Sequence, residues 1–300
     1  MSKAKQEPFR SGFVAIVGRP NVGKSTLLNR LVGQKIAIVS DKPQTTRHTL
    51  QGVITRPDVQ MVFVDTPGIH KPHHLLGEQI VKAAVDSLAH VDVRILLVDC
   101  QEPAGRGDQF VADLLNQSPK PTILVLNKVD RLKQVPEAIF ASYRALAPFA
   151  AVVPLSARTG RNTATLLKKI TDLLPPGPHY YDEDVPTDQS LRSIAGELIR
   201  EQILRTTSDE IPHAVAVRID TFDESRSPVH IQATIFVERD SQKGIVIGEG
   251  GSRLKAVGQG ARLQIEQQLQ APVFLELWVK VLKNWRKDKN SLKRLGYLVD

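Results

Sequence analysis

Short apolar runs alternate with amphipathic stretches through the first 175 residues of the chain. Four of the runs are rich in β-branched residues and continuously apolar, as strands buried on both faces are; they cover residues 13–17, 61–64, 95–98 and 122–126. Five stretches place apolar residues at helical spacing; they cover residues 25–32, 77–89, 109–116, 136–146 and 163–174. The alternation predicts a βαβ array, that is, an α/β domain with a mostly parallel sheet and flanking helices.

A proline-rich break separates this region from a second pattern. Residues 175–178 read PPGP, and acidic residues and a further proline follow at 182–186. Such a composition favours neither helix nor strand, and we therefore expect a linker over residues 176–190. The prediction is a flexible N-terminus over 1–10, a first domain over 11–175 and a second domain over 191–300.

The second domain has the pattern of a small α+β fold. An amphipathic stretch at 191–205 precedes two segments of alternating polarity at 214–220 and 229–238, which predict strands joined by a polar turn. The segment 245–251 follows as a further element that ends in glycines; apolar residues then recur at the spacing of a helix from 254 to 269, and a strand is predicted at 273–281. The expected order is α-β-β-α-α-β.

The composition is that of a globular protein from a reducing compartment. Of the 300 residues, 41% are hydrophobic and 24% are charged, which suits a chain that buries sizeable cores. Cys100 is the only cysteine, and one thiol cannot form an internal disulfide, so we expect a cytoplasmic protein. No apolar run approaches the roughly 18 residues that span a bilayer, and the polar N-terminus does not resemble a signal peptide. We expect a monomer that could touch the cytoplasmic face of the membrane only peripherally.

Residues 181–300 are not basic as a whole, but they contain a local cluster of positive charge near the C-terminus. The net charge of +8 favours a polyanionic partner. Residues 280–294 hold seven lysines and arginines against one acidic residue. We therefore expect a basic C-terminal helix that meets an anion; a merely solvated surface helix is the alternative.

The segment at residues 18–25, GRPNVGKS, predicts a phosphate-binding loop. It lies between a predicted strand and a predicted helix, where glycines let backbone N–H groups approach a phosphate closely. Lys24 would then reach the β- and γ-phosphates, and the Ser25 hydroxyl would bind Mg²⁺. The residues expected to line this part of the site are Gly18, Asn21, Val22, Gly23, Lys24, Ser25 and Thr26.

Three later segments predict a guanine-nucleotide site. In DTPG, Asp65 would hold the Mg²⁺ shell through water, and Gly68 would offer its N–H to the γ-phosphate. In NKVD, Asp130 would accept hydrogen bonds from guanine N1–H and the exocyclic amine, which adenine cannot supply. Asn127 and Lys128 are expected to orient this loop. The N–H of Ala157, which follows Ser156, is expected to meet guanine O6.

A polar stretch at residues 43–47, PQTTR, lies between the first two motifs and is long enough to be a mobile switch. One threonine is expected to bind Mg²⁺ only in the GTP state, and we favour Thr46 over Thr45. A helix-capping role remains open for either threonine.

With these motifs in place, the first domain resembles the Era-type GTPases, which are related to translation factors. In the second domain, residues 246–251 (VIGEGG) resemble the IGxxG core of a type II KH domain, and residues 284–297 resemble the C-terminus of that family. The resemblance covers nearly the whole chain. It implies an α/β P-loop GTPase domain followed by an α+β type II KH domain, with GTP or GDP and Mg²⁺ as ligands. It also implies binding near the 3′ end of small-subunit (16S) ribosomal RNA and assistance in 30S subunit assembly.

The residues of the second domain are compatible with RNA binding. A GxxG turn lets the backbone approach a single-stranded sugar-phosphate chain, and lysines and arginines beyond it can meet phosphates. Glu249 departs from the basic or neutral residue common in such turns. The residues expected to contact RNA are Gly248, Glu249, Gly250, Gly251, Arg253, Lys255, Lys283 and Arg286.

The position after DTPG predicts slow hydrolysis. Ras-type switches place there a glutamine that orients the attacking water, whereas this chain has Ile69, which cannot form a side-chain hydrogen bond. Asn21 resembles the residue that helps related GTPases to bind K⁺ beside the phosphates, where a cation stabilises developing charge. The expected catalytic residues are thus Lys24, Thr46, Gly68 and Asn21.

Two other functions are compatible with parts of the sequence. The second domain could dock on a protein or on anionic lipid, or the chain could be an RNA-binding scaffold whose nucleotide site is vestigial. The complete set of Lys24, Ser25 and Asp65 argues against the scaffold. A related large-subunit assembly GTPase carries two GTPase domains, and the single phosphate loop excludes it.

Overall fold

The computed structural model describes residues 8–42, 45–69, 75–207 and 211–298. Most of the predicted flexible N-terminus, and Pro43 and Gln44 of the predicted switch, lie outside the described residues. Within the described parts, contacts divide the chain into two compact units. The first comprises Met1–Ile36, His48–Lys71 and Val81–Asp188, and the second comprises Ala37–Arg47, Pro72–Ile80 and Gln189–Asp300.

The first unit is the predicted α/β domain. Its elements are β1 (Arg10–Val17), α1 (Lys24–Val32), β2 (Leu50–Arg56), β3 (Val59–Asp65), α2 (Leu75–Ala89), β4 (Val93–Asp99), α3 (Arg106–Asn116), β5 (Thr122–Asn127), α4 (Glu137–Arg144), β6 (Ala151–Pro154) and α5 (Thr163–Leu173). The six strands form one sheet in the order β2-β3-β1-β4-β5-β6, in which only the β2–β3 pair is antiparallel. The first turns of α2 belong to the second unit.

The four predicted strands are confirmed, and two further strands were missed. They are β2, an edge strand with polar residues on its open face, and β6, which has only four residues. Neither presents the continuous apolar run that identified β1, β3, β4 and β5, whose side chains are almost all buried. Because parallel strands share one direction, the carboxyl ends of these four strands meet at one edge of the sheet, where ligands of such folds bind.

The segment predicted as a linker packs on the first unit as far as Asp188. The Gln60 side chain, fully buried, accepts hydrogen bonds from the N–H groups of Tyr180 and Tyr181 at 2.6 and 3.0 Å. The N–H of Gln51 donates to Asp188 Oδ1 at 2.9 Å, and Thr187 Oγ1 donates to the carbonyl of Gln51 at 2.6 Å. The chain therefore passes for the last time from the first unit to the second after Asp188.

The second unit has the predicted α-β-β-α-α-β order, with two additional short helices. Its elements are α6 (Leu191–Thr206), α7 (Ile211–Ala214), β7 (Ala216–Asp223), β8 (Val229–Val237), α8 (Asp240–Ile247), α9 (Ser252–Leu269), β9 (Val273–Val281) and α10 (Lys289–Arg294). Strand β8 is central, antiparallel to β7 and parallel to β9. Apolar side chains of α6 and α9 cover one face of this sheet and form the core of the unit.

The basic stretch near the C-terminus is mostly not helical. Only Lys289–Arg294 form a helix, and Trp285 before it is completely buried. The helix predicted from the charge run is therefore short and is preceded by an anchored turn. Among the residues that the structure describes, no helix is both long enough and apolar enough to cross a membrane.

Candidate nucleotide site and RNA-binding surface

The phosphate loop occupies the turn between β1 and α1, as the sequence predicts. At Gly23, where φ is 104°, a Cβ atom would collide with the side-chain nitrogen Nδ2 of Asn127. At Gly18 a Cβ atom would collide with the carbonyl oxygen of Leu97. Both positions need glycine because neighbouring strands approach the loop so closely. The loop is thus packed directly on β4 and β5.

Lys24 is held inside this loop. Its side chain is buried, and Nζ donates to the carbonyl oxygens of Gly18 at 3.2 Å and Arg19 at 3.0 Å. Burial lowers the pKa of Lys24 to about 8, and the nearby charge of Asp65 opposes that shift. A phosphate at the loop would favour the charged form of the lysine and raise its pKa again.

Ser25 and Asp65 lie where a magnesium ion is expected. Ser25 Oγ donates to Asp65 Oδ2 at 2.9 Å, and Asp65 is completely buried at the end of β3. A hydroxyl and a carboxylate are the hard oxygen ligands that Mg²⁺ takes, with water and phosphate oxygens completing its octahedron. The residues present therefore fit Mg²⁺ beside a bound nucleotide.

The DTPG turn is fixed on the phosphate loop. Thr66 Oγ1 donates to the carbonyl of Ile16 at 2.9 Å, which ties the turn to β1. A Cβ atom at Gly68 would lie 2.9–3.0 Å from Pro20 of the phosphate loop. Glycine thus lets the backbone of the turn come close to where the terminal phosphate would lie. Ile69 is buried, so its side chain faces the core rather than a water molecule.

The Asn127 side chain connects the phosphate loop with the base-binding loops. Its Nδ2 donates to the carbonyl of Val22 at 2.7 Å, and its Oδ1 accepts from the N–H of Ala157 at 2.9 Å. Lys128, in the left-handed conformation, donates from Nζ to the carbonyl of Asn21 at 3.0 Å. Asn127 and Lys128 thus both bond to the phosphate loop. The Ala157 N–H, expected at guanine O6, is engaged by Asn127, so a guanine would have to share it.

Two neighbours contact the carboxylate of Asp130. Ser156 Oγ donates to Oδ1 at 2.7 Å, and Arg158 Nε lies 3.4 Å from Oδ2. The hydrogen bond from Ser156 holds the pKa of Asp130 below its usual value. The carboxylate is therefore charged at neutral pH, as an acceptor for guanine must be.

Three residues of the site were not predicted from the sequence. Asp99, at the end of β4, pairs with Lys128 Nζ at 2.6 Å. Arg19 Nε lies 2.9 Å from the buried Asp108, whose other oxygen accepts from the N–H of Gly105 at the start of α3. Asp99 could have been found because it ends a buried strand beside Asn127; the Arg19–Asp108 pair follows no local pattern.

Thr45 and Thr46 lie in the second unit. The Thr45 hydroxyl donates to the carbonyl of Lys42 at 2.6 Å, within its own segment. The choice of Thr46 as the Mg²⁺ ligand stays a prediction.

The GxxG turn connects α8 with α9. Gly248, Gly250 and Gly251 have φ values of 74°, 57° and 80°, which only glycine adopts readily. Beside the turn is an open groove of about 630 Å³ between α9 and β9. It is lined by Gly251, Leu254, Lys255, Gly258, Gln259, Arg262, Leu275 and Leu277. An apolar floor with cationic walls suits a nucleobase and its phosphate.

The predicted RNA-binding residues differ in what they contact in the structure. Glu249, Lys255 and Lys283 are exposed. The Arg253 guanidinium donates to the carbonyl of Ile245, and Arg286 is ion-paired with Glu238. These two arginines therefore hold the turns of the unit together, while Arg262, which was not predicted, lines the groove.

Comparisons with known proteins match both units. The family described as 50S ribosome-binding GTPase matches residues 13–128, and the KH domain family matches residues 210–286. A crystal structure of Era in complex with MgGDPNP and nucleotides 1506–1542 of 16S ribosomal RNA is 38% identical, with a TM-score of 0.93 over 97% of this chain and 100% of that one. A structure of a variant Era from Aquifex aeolicus bound to GDP·AlF₄⁻ is 37% identical with the same TM-score and coverage. At this identity over nearly the full length of both chains, the protein belongs to the Era family of GTPases.

Proposed function

We propose that the protein hydrolyses GTP to GDP and phosphate and acts as a switch that binds small-subunit ribosomal RNA near its 3′ end and assists 30S subunit assembly. The observation that carries the proposal is a pair of hydrogen bonds made by the side-chain amide of Asn127. One joins it to the carbonyl of Val22 in the phosphate loop, and the other joins it to the N–H of Ala157. In this proposal that one side chain sets the spacing between the phosphate site and the guanine site, and Asp130, which accepts a hydrogen bond from Ser156, reads the base.

The residues of the first unit divide the work of phosphoryl transfer. Lys24 and the loop N–H groups would neutralise charge that develops on the phosphates, while Ser25 and Asp65 would hold Mg²⁺, which would add positive charge beside the phosphates. Thr46 and the N–H of Gly68 are proposed to respond to the terminal phosphate. Because Ile69 is buried and apolar, no side chain at that position orients water, and intrinsic turnover is slow.

K⁺ is proposed to stimulate this turnover. Asn21 lies in the phosphate loop with φ of 65°, and its carbonyl accepts from Lys128. A monovalent cation beside it would add positive charge where the leaving phosphate gains negative charge. Turnover measured in K⁺ and in Na⁺ tests this, and equal rates, or an unchanged K⁺ response of Asn21→Ala, would contradict it.

The proposed RNA partner is the 16S molecule because the similar Era structure contains nucleotides 1506–1542 of that RNA. The matching GTPase family is described by 50S binding, so the large-subunit RNA is the natural competitor. Crosslinking of the GTP-loaded protein to RNA in cells, followed by sequencing, separates the two. Recovery of the 16S 3′ region supports the proposal, and recovery of large-subunit RNA in its place contradicts it.

We further propose that the protein is a cytoplasmic monomer, with at most peripheral contact with the inner membrane. Sedimentation of the purified chain tests the oligomeric state. Flotation with vesicles containing anionic lipid tests the membrane as the alternative partner of the second unit. A switch that docks on lipid would float with such vesicles and fail to select 16S RNA.

A further inference from the structure

Arg47 is buried, although it belongs to the polar stretch that is long enough to be a mobile switch. It follows the two threonines of the PQTTR stretch and belongs to the second unit. Only 3% of its surface is exposed. An arginine is rarely buried so completely unless its guanidinium is bonded on several sides.

The guanidinium of Arg47 is bonded to α7 and the residue that follows it. Nη1 donates to the carbonyl of Val215 at 2.6 Å, and Nη2 donates to the carbonyls of Pro212 at 2.8 Å and His213 at 3.4 Å. The hydroxyl of Tyr297 lies 3.3 Å from Nη1. These acceptors come from residues more than 160 positions away in sequence, so the arginine closes a long loop of the chain.

Two aromatic rings of the C-terminal segment flank the same guanidinium. The centroids of Trp285 and Tyr297 lie 5.9 and 5.8 Å from Cζ of Arg47, within the range of cation–π attraction. The two rings stack with centroids 5.6 Å apart, and Trp285 Nε1 donates to the carbonyl of Ala214 at 2.9 Å. The turn that carries the exposed Lys283 is therefore packed on the switch arginine.

The residues before Thr46 are also held in the second unit. The carbonyl of Thr45 accepts from the buried Arg200, and the N–H of Val39 donates to the buried Glu201 at 2.9 Å. Ile38 is part of the apolar core of the unit. Consecutive Cα atoms are about 3.8 Å apart, so a threonine between two anchored residues cannot move without the unit that anchors them.

We propose that Arg47 is a positioning residue that keeps Thr46 attached to the second unit and so couples the nucleotide site to the RNA-binding unit. The inference rests on the proposed function, because it assigns to Thr46 the Mg²⁺ that accompanies GTP. In this proposal the contacts of the Arg47 guanidinium persist in both nucleotide states. Breaking them would leave three carbonyl groups without this hydrogen-bond donor and would leave a cavity in the core. Any displacement of Thr46 is then shared by α7 and by the C-terminal segment that hold Arg47.

The test is the ratio of RNA affinities in two nucleotide states. A single-stranded fragment from the 3′ end of 16S RNA is titrated into protein loaded with Mg²⁺ and either a non-hydrolysable GTP analogue or GDP. The wild-type ratio is expected to be roughly 5- to 150-fold, and Arg47→Ala should bring it to within twofold of one. Arg47→Lys should retain only part of the ratio, because an ammonium cannot match the planar fork of donors.

Arg94→Ala is the matched control. Arg94 is likewise buried and donates to three carbonyls, those of Leu115, Ser118 and Lys120, but it and all three acceptors belong to the first unit. Its loss should lower stability while leaving the ratio at the wild-type value. A wild-type ratio of one would refute the proposed switch itself, whereas a wild-type ratio that survives in Arg47→Ala would refute only the role of Arg47.

Trp285 provides a readout that does not depend on turnover or on whether Arg47→Ala folds. In a Trp278→Phe protein, which replaces the exposed tryptophan, fluorescence comes from Trp285 alone. Acrylamide quenching of Trp285 should be low and equal with GDP and with the GTP analogue, because the anchor persists. A rise in quenching with the analogue would show that Trp285 no longer packs on Arg47 and would overturn the proposal.

Discussion

Replacement of Asp130 by asparagine tests the guanine site most directly. The carboxylate accepts from Ser156 at 2.7 Å through one oxygen and lies 3.4 Å from Arg158 through the other. Only 12% of its side chain is exposed, so water replaces lost hydrogen bonds poorly. Asparagine keeps the shape of the side chain but exchanges one acceptor oxygen for a donor NH₂ and removes the charge.

The expected loss follows from two charge-assisted hydrogen bonds to guanine. Each is worth about 1.5–3 kcal/mol, and the substitution removes one of them together with the charge that strengthens the other, so GDP binding should weaken roughly 10- to 10⁴-fold. Xanthine carries an oxygen in place of the exocyclic amine, and the new NH₂ can donate to it. Xanthosine nucleotides should therefore bind Asp130→Asn more tightly than they bind the wild-type protein.

Calorimetric titration with GDP, ADP and xanthosine diphosphate measures these affinities. Asp172→Asn, an identical change at an exposed position of α5, should bind GDP like the wild type. Thermal unfolding confirms that both variants fold. If Asp130→Asn bound GDP within threefold of the wild type, or if the wild type bound ADP as tightly as GDP, the assignment of Asp130 to the base would be wrong.

Three further predictions concern the phosphates and the RNA. Because burial lowers the pKa of Lys24 to about 8 and phosphate raises it again, GDP binding at pH 8.5 should take up protons, and affinity should fall as pH rises through 8. Titration in buffers of different ionisation enthalpy measures the uptake, which should disappear in Lys24→Arg, since arginine stays charged throughout. Gly68→Ala should slow GTP turnover at least tenfold with GDP affinity little changed, because its methyl group would press on Pro20; single-turnover kinetics at wild-type rate would contradict this. Gly250→Asp should weaken binding of the 16S fragment at least tenfold without altering nucleotide binding, since φ is 57° there and the new charge faces phosphate; fluorescence anisotropy at several salt concentrations checks it.

The sequence predicted those parts of the fold that show a clear pattern of apolar residues or that need glycine for their backbone conformation. Strands β1, β3, β4 and β5 each contain a short, largely apolar run, and β9 was predicted with its bounds unchanged. The phosphate loop was found because glycines are needed where β4 and β5 approach it. Strand β2 escaped notice because an edge strand with a polar face gives a weak signal.

The linker shows how tertiary contacts overrode a local signal. Prolines and acidic residues at 175–186 exclude regular secondary structure, and the structure has none there beyond isolated bridges. Absence of secondary structure does not mean absence of packing, however. A buried glutamine, Gln60, satisfies the backbone of Tyr180 and Tyr181 and fixes the segment to the first unit. No rule about prolines could have paired a residue of β3 with a segment 120 positions later.

Arg47 marks the limit of prediction from local sequence in this protein. An arginine between a threonine and a histidine, in a stretch without apolar residues, has every feature of an exposed loop residue. Its burial depends on carbonyls left open where α7 ends and on two aromatic rings close to the C-terminus. Each of these features is unremarkable alone, and only the folded chain brings them together. A segment expected to move freely is thereby part of a packed core, so its motion has to involve that core as well.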